Sequence, residues 1–292
     1  PKKGYTEGNR KSIGLLFFNP SLRTRLSSQR AAQNLGMDVV VLDVGSESWK
    51  LEFSDGKIMN GASAEHIKEA ARVMGAYFDF LAIRAFASLQ DRDLDYAEPV
   101  LTSFMKHAGV PIINMESSTG HPLQAFADLI TIDEFKKTER PKVVLSWAPH
   151  PRALPHAVAN SFAQWMNRAP VDLIITHPEG YELDPKFVGS ARVETNQFLA
   201  FEGADFIYAK NWSSYNHYGQ VLHQDFAWMI NQGKMDLTNQ AYFMHCLPVR
   251  RNMIVSDQII DSPKSLVIQQ AANRVVSMQT VLSMLLEQKC SK

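Results

Sequence analysis

The sequence predicts an α/β fold built from two doubly wound parallel-sheet domains with interdomain helices. Three observations carry that expectation. Short apolar, β-branched runs alternate with helical patterns along almost all of the 292 residues. The runs are apolar throughout, not apolar on every second residue, as in strands buried on both faces of a parallel sheet. The chain is also 45% hydrophobic, enough to fill two cores.

Taken in order, strands are expected at 13–18, 39–44, 78–84, 110–114, 142–147, 171–176, 206–209, 241–245 and 266–268. Helical spacing occupies 21–35, 66–74, 123–137, 154–167 and 269–288. Gly36 stands where a helix C-cap belongs. The break after Glu139-Arg140-Pro141 marks the start of a second α/β unit, and the last helix could pack back on the first. Neither a repeat nor a low-complexity tract interrupts the alternation.

Thirty basic residues balance thirty acidic ones. A general binder of nucleic acid or anionic membrane would show a basic excess, so any anion site must be local. No apolar run reaches the roughly 18 residues of a membrane span, and residues 1–10 are polar, unlike a signal peptide. The two cysteines, Cys246 and Cys290, are far apart and lack metal-ligand spacing, which fits a reducing, cytoplasmic setting and no metal.

In open α/β sheets, ligands bind beyond the carboxyl ends of the strands. There the sequence gathers polar groups: Asn19 to Arg25 after the first strand, Arg84 after the third, then Glu116 and His121-Pro122-Leu123-Gln124. "WAPHPRALP" (147–155), Lys210 and His245-Cys246-Leu247-Pro248-Val249-Arg250-Arg251 follow later strands. In "FFNPSLRTR" (17–25), Pro20 suits a helix start and Ser21 can cap it. The first-turn N–H groups and the helix dipole favour phosphate. Arg23 and Arg25 add forked cations, and Ser21 and Thr24 add hydroxyls. The turn lacks glycine and no Gly-Lys-Ser/Thr follows, so the ligand expected is a small phosphorylated molecule, not a nucleoside triphosphate.

Together, "SLRTR" (21–25), "HPLQ" (121–124) and "HCLP" (245–248) resemble the three signatures of the aspartate and ornithine carbamoyltransferases, in their order and spacing over essentially the whole chain. Leu22 departs from the threonine most members carry, at a position expected to offer a backbone N–H. Members usually have a further helix before the first strand, so the natural N-terminus is expected to lie upstream. The resemblance implies a carbamoyl-phosphate-binding domain of 1–124 plus 265–292 and an acylornithine-binding domain of 125–264, in a homotrimer with shared active sites. It implies that carbamoyl phosphate lies against Ser21, Leu22, Arg23, Thr24, Arg84, His121, Gln124, Arg274 and the backbone carbonyls of Cys246 and Leu247, with Arg25 nearby. Arg23, Arg84 and His121 are the implied catalytic groups. No cofactor is implied. Trp49 is implied to reach the neighbouring subunit's site.

The simple ornithine enzymes grip a free α-amino group with an Asp-x-x-x-Ser-Met-Gly loop. Here Lys210 takes the aspartate position and no Ser-Met-Gly follows. Lysine pairs with a carboxylate, not an ammonium, so an N-acylated ornithine is expected. "KNW", "WAPHPR" and "HCLPVRRN" are similar to the N-acetyl- and N-succinylornithine branch, which implies Glu116, His150, Lys210 and Arg250 as acceptor-binding residues. Arg250 could hold a second, succinyl carboxylate, or pair with Arg251 as bland surface charge. Ala64, in "NGASAEH", stands where succinyl enzymes tend to have proline and acetyl enzymes glutamate. Alanine neither repels nor selects a succinyl group, so succinyl is favoured over acetyl without excluding it. A Cys246 nucleophile is disfavoured because adjacent His245 points to the opposite face of a strand. An idle anion-binding module would show an interrupted motif, and none of the three is interrupted.

Overall fold

A computed structural model describes residues 7–44 and 49–290, which divide into two compact units. Unit 1 draws on Pro1–Ser88, Asp93–Ser118 and Arg274–Lys292, and unit 2 on Leu89–Arg92 and Thr119–Asn273.

Up to residue 118 the elements are β1 (Ser12–Phe17), α1 (Arg23–Asn34), β2 (Asp38–Asp43), β3 (Leu51–Glu52), β4 (Glu65–His66), α2 (Ile67–Tyr77), β5 (Phe80–Arg84), α3 (Arg92–Tyr96), α4 (Pro99–His107) and β6 (Ile112–Glu116). Four of the strands form a parallel sheet in the order β2-β1-β5-β6. Register aligns their ends: Phe17 pairs with Asp43 on one side and Arg84 on the other, and Arg84 pairs with Glu116. The strand order reverses between β1 and β5, so the turn after Phe17 lies at a topological switch point. Helix α1 buries small residues, Thr24, Ser27, Ser28, Ala31 and Ala32. It closes in a Schellman turn, with Gly36 at φ 79° and its N–H on Gln33, and the Met37 N–H on Ala32.

From residue 119 onward come α5 (Pro122–Phe135), β7 (Lys142–Trp147), α6 (Ala157–Met166), β8 (Asp172–Thr176), α7 (Pro185–Val188), β9 (Arg192–Glu194), α8 (Gln197–Phe201), β10 (Phe206–Lys210), α9 (Gln232–Met235), β11 (Tyr242–Met244), α10 (Asp257–Ile260) and α11 (Val267–Cys290). The sheet of unit 2 is parallel in the order β11-β10-β7-β8-β9, with its switch point between β7 and β10. Alternate strand residues feed two separate cores. Val143, Leu145, Phe206 and Tyr208 pack on one face, and Val144, Ile207 and Ala209 on the other. Burial on both faces is what the unbroken apolar runs require.

One expected strand is absent. Residues 266–268 lead into α11, with the Gln270 N–H on the Leu266 carbonyl at 2.8 Å. Leu266 and Val267 are buried against the two cores of unit 2, so an apolar run that reads as a strand enters a helix instead. Helices α3 and α4 were not foreshadowed by any apolar period; Pro99 opens α4 at its first turn.

Gly75 lets α2 cross the end of α4. A Cβ there would lie 1.8 Å from the Ala108 carbonyl oxygen. Gly75→Ala is therefore expected to lower unfolding stability by about 1–3 kcal/mol, read from urea midpoints, and an unchanged midpoint would contradict the close approach.

Candidate active site

In unit 1 the candidate residues cluster at the carboxyl edge of the sheet. The chain leaving β1 is fixed by three hydrogen bonds: the Phe18 N–H on the Arg84 carbonyl (2.9 Å), the Phe86 N–H on Asn19 Oδ1 (2.6 Å) and Arg84 Nη1 on the Pro20 carbonyl (3.2 Å). The helical turns begin at Arg23, and Ser21 Oγ accepts from the Thr24 N–H at 3.2 Å. Ser21 thus serves the helix start as the sequence implied. Leu22 is exposed, consistent with a position that offers backbone.

Arg84 is almost wholly buried. It meets Glu116 at 3.2 Å and stacks its guanidinium 4.1 Å from the Phe86 ring centroid. A buried cation needs such a partner, so Glu116 is placed to orient Arg84. Arg274, also buried, donates to Thr24 Oγ1 at 2.6 Å, which brings it to the first turn of α1. Arg25, in contrast, is paired with Asp43 and lies over the Phe17 ring. Its charge is compensated locally. Trp49 is more than half exposed, and its indole donates to Glu65 Oε2 at 2.9 Å. The β3–β4 ladder sets Ala64 beside Lys50, through its N–H on the Lys50 carbonyl. Trp49 and Ala64 therefore flank one short ladder.

In unit 2, His121 is the N-cap position of α5, buried, with its N–H on Ser161 Oγ at 2.7 Å. Gln124, one turn on, is 1% exposed and donates from Nε2 to Asp128 at 2.7 Å. At the end of β11, the His245 N–H donates to Gln270 Oε1 (3.0 Å) and the Leu247 N–H to His245 Nδ1 (2.9 Å). That second bond occupies the Nδ1 lone pair, so a neutral ring holds its proton on Nε2 and has no lone pair to offer Cys246. Leu247 sits at φ 53° before a cis Pro248.

The second cluster of unit 2 forms where the chain leaves β7 and β10. Asn211 Nδ2 donates to the Ala148 carbonyl (2.7 Å), the Ser213 N–H to the Leu154 carbonyl (3.0 Å), and the His156 ring meets the Ser213 carbonyl (2.8 Å). These bonds hold "WAPHPR" beside "KNWS". Arg250 Nε donates to His150 Nε2 at 3.0 Å, and His150 Nδ1 lies 2.8 Å from the Arg152 carbonyl. Nε2, accepting from a guanidinium, carries no proton, and Nδ1 lies within reach of both the carbonyl and the N–H of Arg152. Burial first, and then the charges of Lys210, Arg250 and Arg152, pull the His150 pKa down. The result is a neutral imidazole among three cations, a site shaped for carboxylate. Arg251 is separated from Arg250: it bonds Asp257 and Asp261 at 2.6–2.8 Å. Sequence reasoning did not single out Arg152, although it lies two residues after His150 in the quoted stretch, nor the inward-facing partners Asp43, Asp128, Ser161 and Gln270. Among the described residues no cluster of His, Cys, Asp or Glu is arranged to hold a metal ion, and no helix is long and apolar enough to cross a membrane.

Residues 2–134 match the family model for the aspartate/ornithine carbamoyltransferase carbamoyl-P binding domain, and residues 155–285 match that for the Asp/Orn binding domain. The chain is 59% identical over 282 residues to N-succinylornithine carbamoyltransferase of Bacteroides fragilis (strain 638R), covering 96% of this chain and 89% of that protein. It is 38% identical over 299 residues to N-acetylornithine carbamoyltransferase of Xanthomonas axonopodis pv. citri (strain 306), covering 95% and 87%. Among solved structures, a glutamate-to-proline variant of N-acetyl-L-ornithine transcarbamylase complexed with carbamyl phosphate and N-succinyl-L-norvaline superposes with a TM-score of 0.91 at 38% identity, over 96% of this chain and 90% of that one. A glutamate-to-alanine variant in complex with the same two ligands also gives 0.91.

Because its pKa is lowered in the folded state, His150 takes up a proton more readily once the chain unfolds. Its contribution to stability is complete above the ordinary value of 6.5 and is lost as pH falls below it. His150→Gln should therefore flatten the fall in urea midpoint between about pH 7 and pH 5. His107 and His156, lowered in the same sense, stay in both proteins and cancel in the comparison. An identical pH slope would contradict the neutral-imidazole assignment.

Proposed function

The chain belongs to the aspartate/ornithine carbamoyltransferase family, and from that premise we propose that it moves the carbamoyl group of carbamoyl phosphate to the δ-amine of N-succinyl-L-ornithine, giving N-succinyl-L-citrulline and phosphate in arginine biosynthesis. The observation that carries the acceptor reading is the cluster of Lys210, Arg250 and Arg152 around a neutral His150. An N-succinylornithine carries two carboxylates and no free α-ammonium, which matches a cationic site without an acid.

The donor's phosphate is assigned to the α1 start: Ser21, Leu22, Arg23 and Thr24, with Arg274 braced on Thr24. Its carbamoyl group is assigned to Arg84, His121, Gln124 and the carbonyls of Cys246 and Leu247. The neutral δ-nitrogen attacks the carbamoyl carbon, the bond from that carbon to the phosphate oxygen breaks, and phosphate leaves, taking up the proton that the nitrogen gives up. Negative charge grows first on the carbonyl oxygen, then on the departing phosphate. Donors fixed toward those atoms contribute on the order of 3 kcal/mol each, and holding two reactants aligned contributes at most roughly 7–11 kcal/mol. Arg84 suits the carbonyl oxygen because Glu116 and Phe86 hold it still before the reaction. No covalent enzyme intermediate is required.

Ala64 permits a succinyl acceptor without selecting it. In this reading it replaces the glutamate whose substitution by proline or alanine characterises the acetylornithine enzyme variants complexed with N-succinyl-L-norvaline. A carboxylate at that position would repel the succinyl group, and alanine removes the repulsion. We further assign Trp49 to a neighbouring subunit's site in a cytoplasmic homotrimer, a role that its exposure permits.

Product formation from carbamoyl phosphate with ornithine, N-acetylornithine and N-succinylornithine, side by side, tests the reading. Turnover of the succinyl compound is expected, and preference for the acetyl compound or for free ornithine would overturn the acceptor assignment. Arg250→Ala should raise KM for the succinyl compound by about 10- to 100-fold, the loss of one charged hydrogen bond, with KM for carbamoyl phosphate unchanged. Arg23→Ala should do the reverse, and near-normal turnover in that variant would contradict the phosphate assignment.

A further inference from the structure

Asp128 lies inside unit 2 with no exposed surface. Its Oδ1 receives two donors, Gln124 Nε2 at 2.7 Å and Gln270 Nε2 at 2.6 Å. Both amides turn their NH2 ends toward it, the arrangement an ionised carboxylate requires. The consequence differs for the two glutamines. Gln270 is left with its oxygen toward β11, where it accepts the His245 N–H at 3.0 Å. Gln124 is left with Oε1 as its free end, and that atom is buried without a hydrogen-bond partner among the described residues. An unused buried acceptor in a residue assigned to the carbamoyl group is an observation that points to a ligand donor. Tyr208, wholly buried, faces the same carboxylate. Burial, then the charge of Asp128, pushes its phenol well above the usual range, so it remains a neutral hydroxyl.

We propose that Asp128 is a positioning residue that sets which end of the Gln124 amide is offered to the donor substrate, and through Gln270 fixes the backbone at 245–247. The inference rests on the carbamoyl phosphate reading above. A carbamoyl group is an amide, with NH2 donors at one end and a carbonyl acceptor at the other. An oxygen at Gln124 accepts from that NH2, and a flipped Gln124 would set donor against donor. The Cys246 and Leu247 carbonyls, assigned to the same NH2, depend on a turn that begins with the Gln270-bound His245 N–H and continues through Leu247 N–H on His245 Nδ1. One buried carboxylate thus fixes both groups that recognise the nitrogen of the donor. Acetyl phosphate, which has a methyl group in place of NH2, is the matched probe.

Binding of carbamoyl phosphate, acetyl phosphate and inorganic phosphate would be measured by calorimetry on the wild-type chain, Asp128→Leu and Gln270→Met. The wild type is expected to prefer carbamoyl over acetyl phosphate by about tenfold or more, the equivalent of one well-placed hydrogen bond. In Asp128→Leu that preference should fall toward one, and in Gln270→Met, which keeps the Asp128–Gln124 bond, it should fall part of the way, while inorganic phosphate binds within about twofold of wild type in both. Retained preference overturns the inference. So does equal weakening of all three anions, because that is the signature of a purely structural role. If Asp128→Leu does not fold, Gln270→Met decides by the same criterion. A wild type with no preference overturns the carbamoyl phosphate reading itself, and the inference with it.

Discussion

Strands buried on both faces leave chemistry one place to go. In each unit the sheet is parallel throughout, and in unit 2 successive side chains of β7 and β10 enter opposite apolar cores. A polar side chain in mid-strand would cost about 1–3 kcal/mol without a partner. Polar groups therefore collect where the strands end. Parallel register then aligns those ends, so that Asp43, Phe17, Arg84 and Glu116 form one row across the first sheet. Switch points at β1/β5 and β7/β10 stand beside the turns that carry Ser21 to Thr24, His150 and Lys210.

Within that frame, each cation has a defined task. Arg25 is taken by Asp43 and Arg251 by two aspartates, so neither adds net attraction for a substrate. Arg84 is paired with Glu116 while almost wholly buried. Removing one partner of such a pair typically costs about 3–5 kcal/mol, so Glu116 supports the position of Arg84, the cation proposed for the carbamoyl group. Arg274 meets a neutral hydroxyl, Thr24 Oγ1. The cluster at His150 is the opposite case, because its cations share a neutral imidazole. The difference between compensated and concentrated charge separates Arg250 from its neighbour Arg251, and on it rests the proposal that Arg250 meets the acceptor.

Much of this was legible in the sequence, for a physical reason. Continuous apolar runs mark doubly buried strands, and the polar groups that follow them mark the sheet edge; β1, β7 and β10 were located within a residue or two. The strand expected at 266–268 failed because Leu266 and Val267 serve the core equally well from the entry of a helix. Two-residue strands such as β3 and β4 are too short to leave a period. The partners of the site residues were hidden for a different reason. Asp128 and Gln270 are 142 positions apart, as are Asn273 and Thr131, and no local pattern encodes a hydrogen bond over that span. Motifs supplied the candidate site residues, whereas the groups that hold them in place emerged only from packing.

The central claim is a division of labour between two anion sites: phosphate at the start of α1, carboxylate at Lys210, Arg250 and His150. A crystal structure with carbamoyl phosphate and N-succinyl-L-norvaline bound together tests it most directly. The account predicts phosphate oxygens within hydrogen-bond distance of Ser21, Thr24 and Arg274, and a ligand carboxylate on Lys210 or Arg250. Phosphate seated on the His150 cluster, with the α1 start empty, would contradict it.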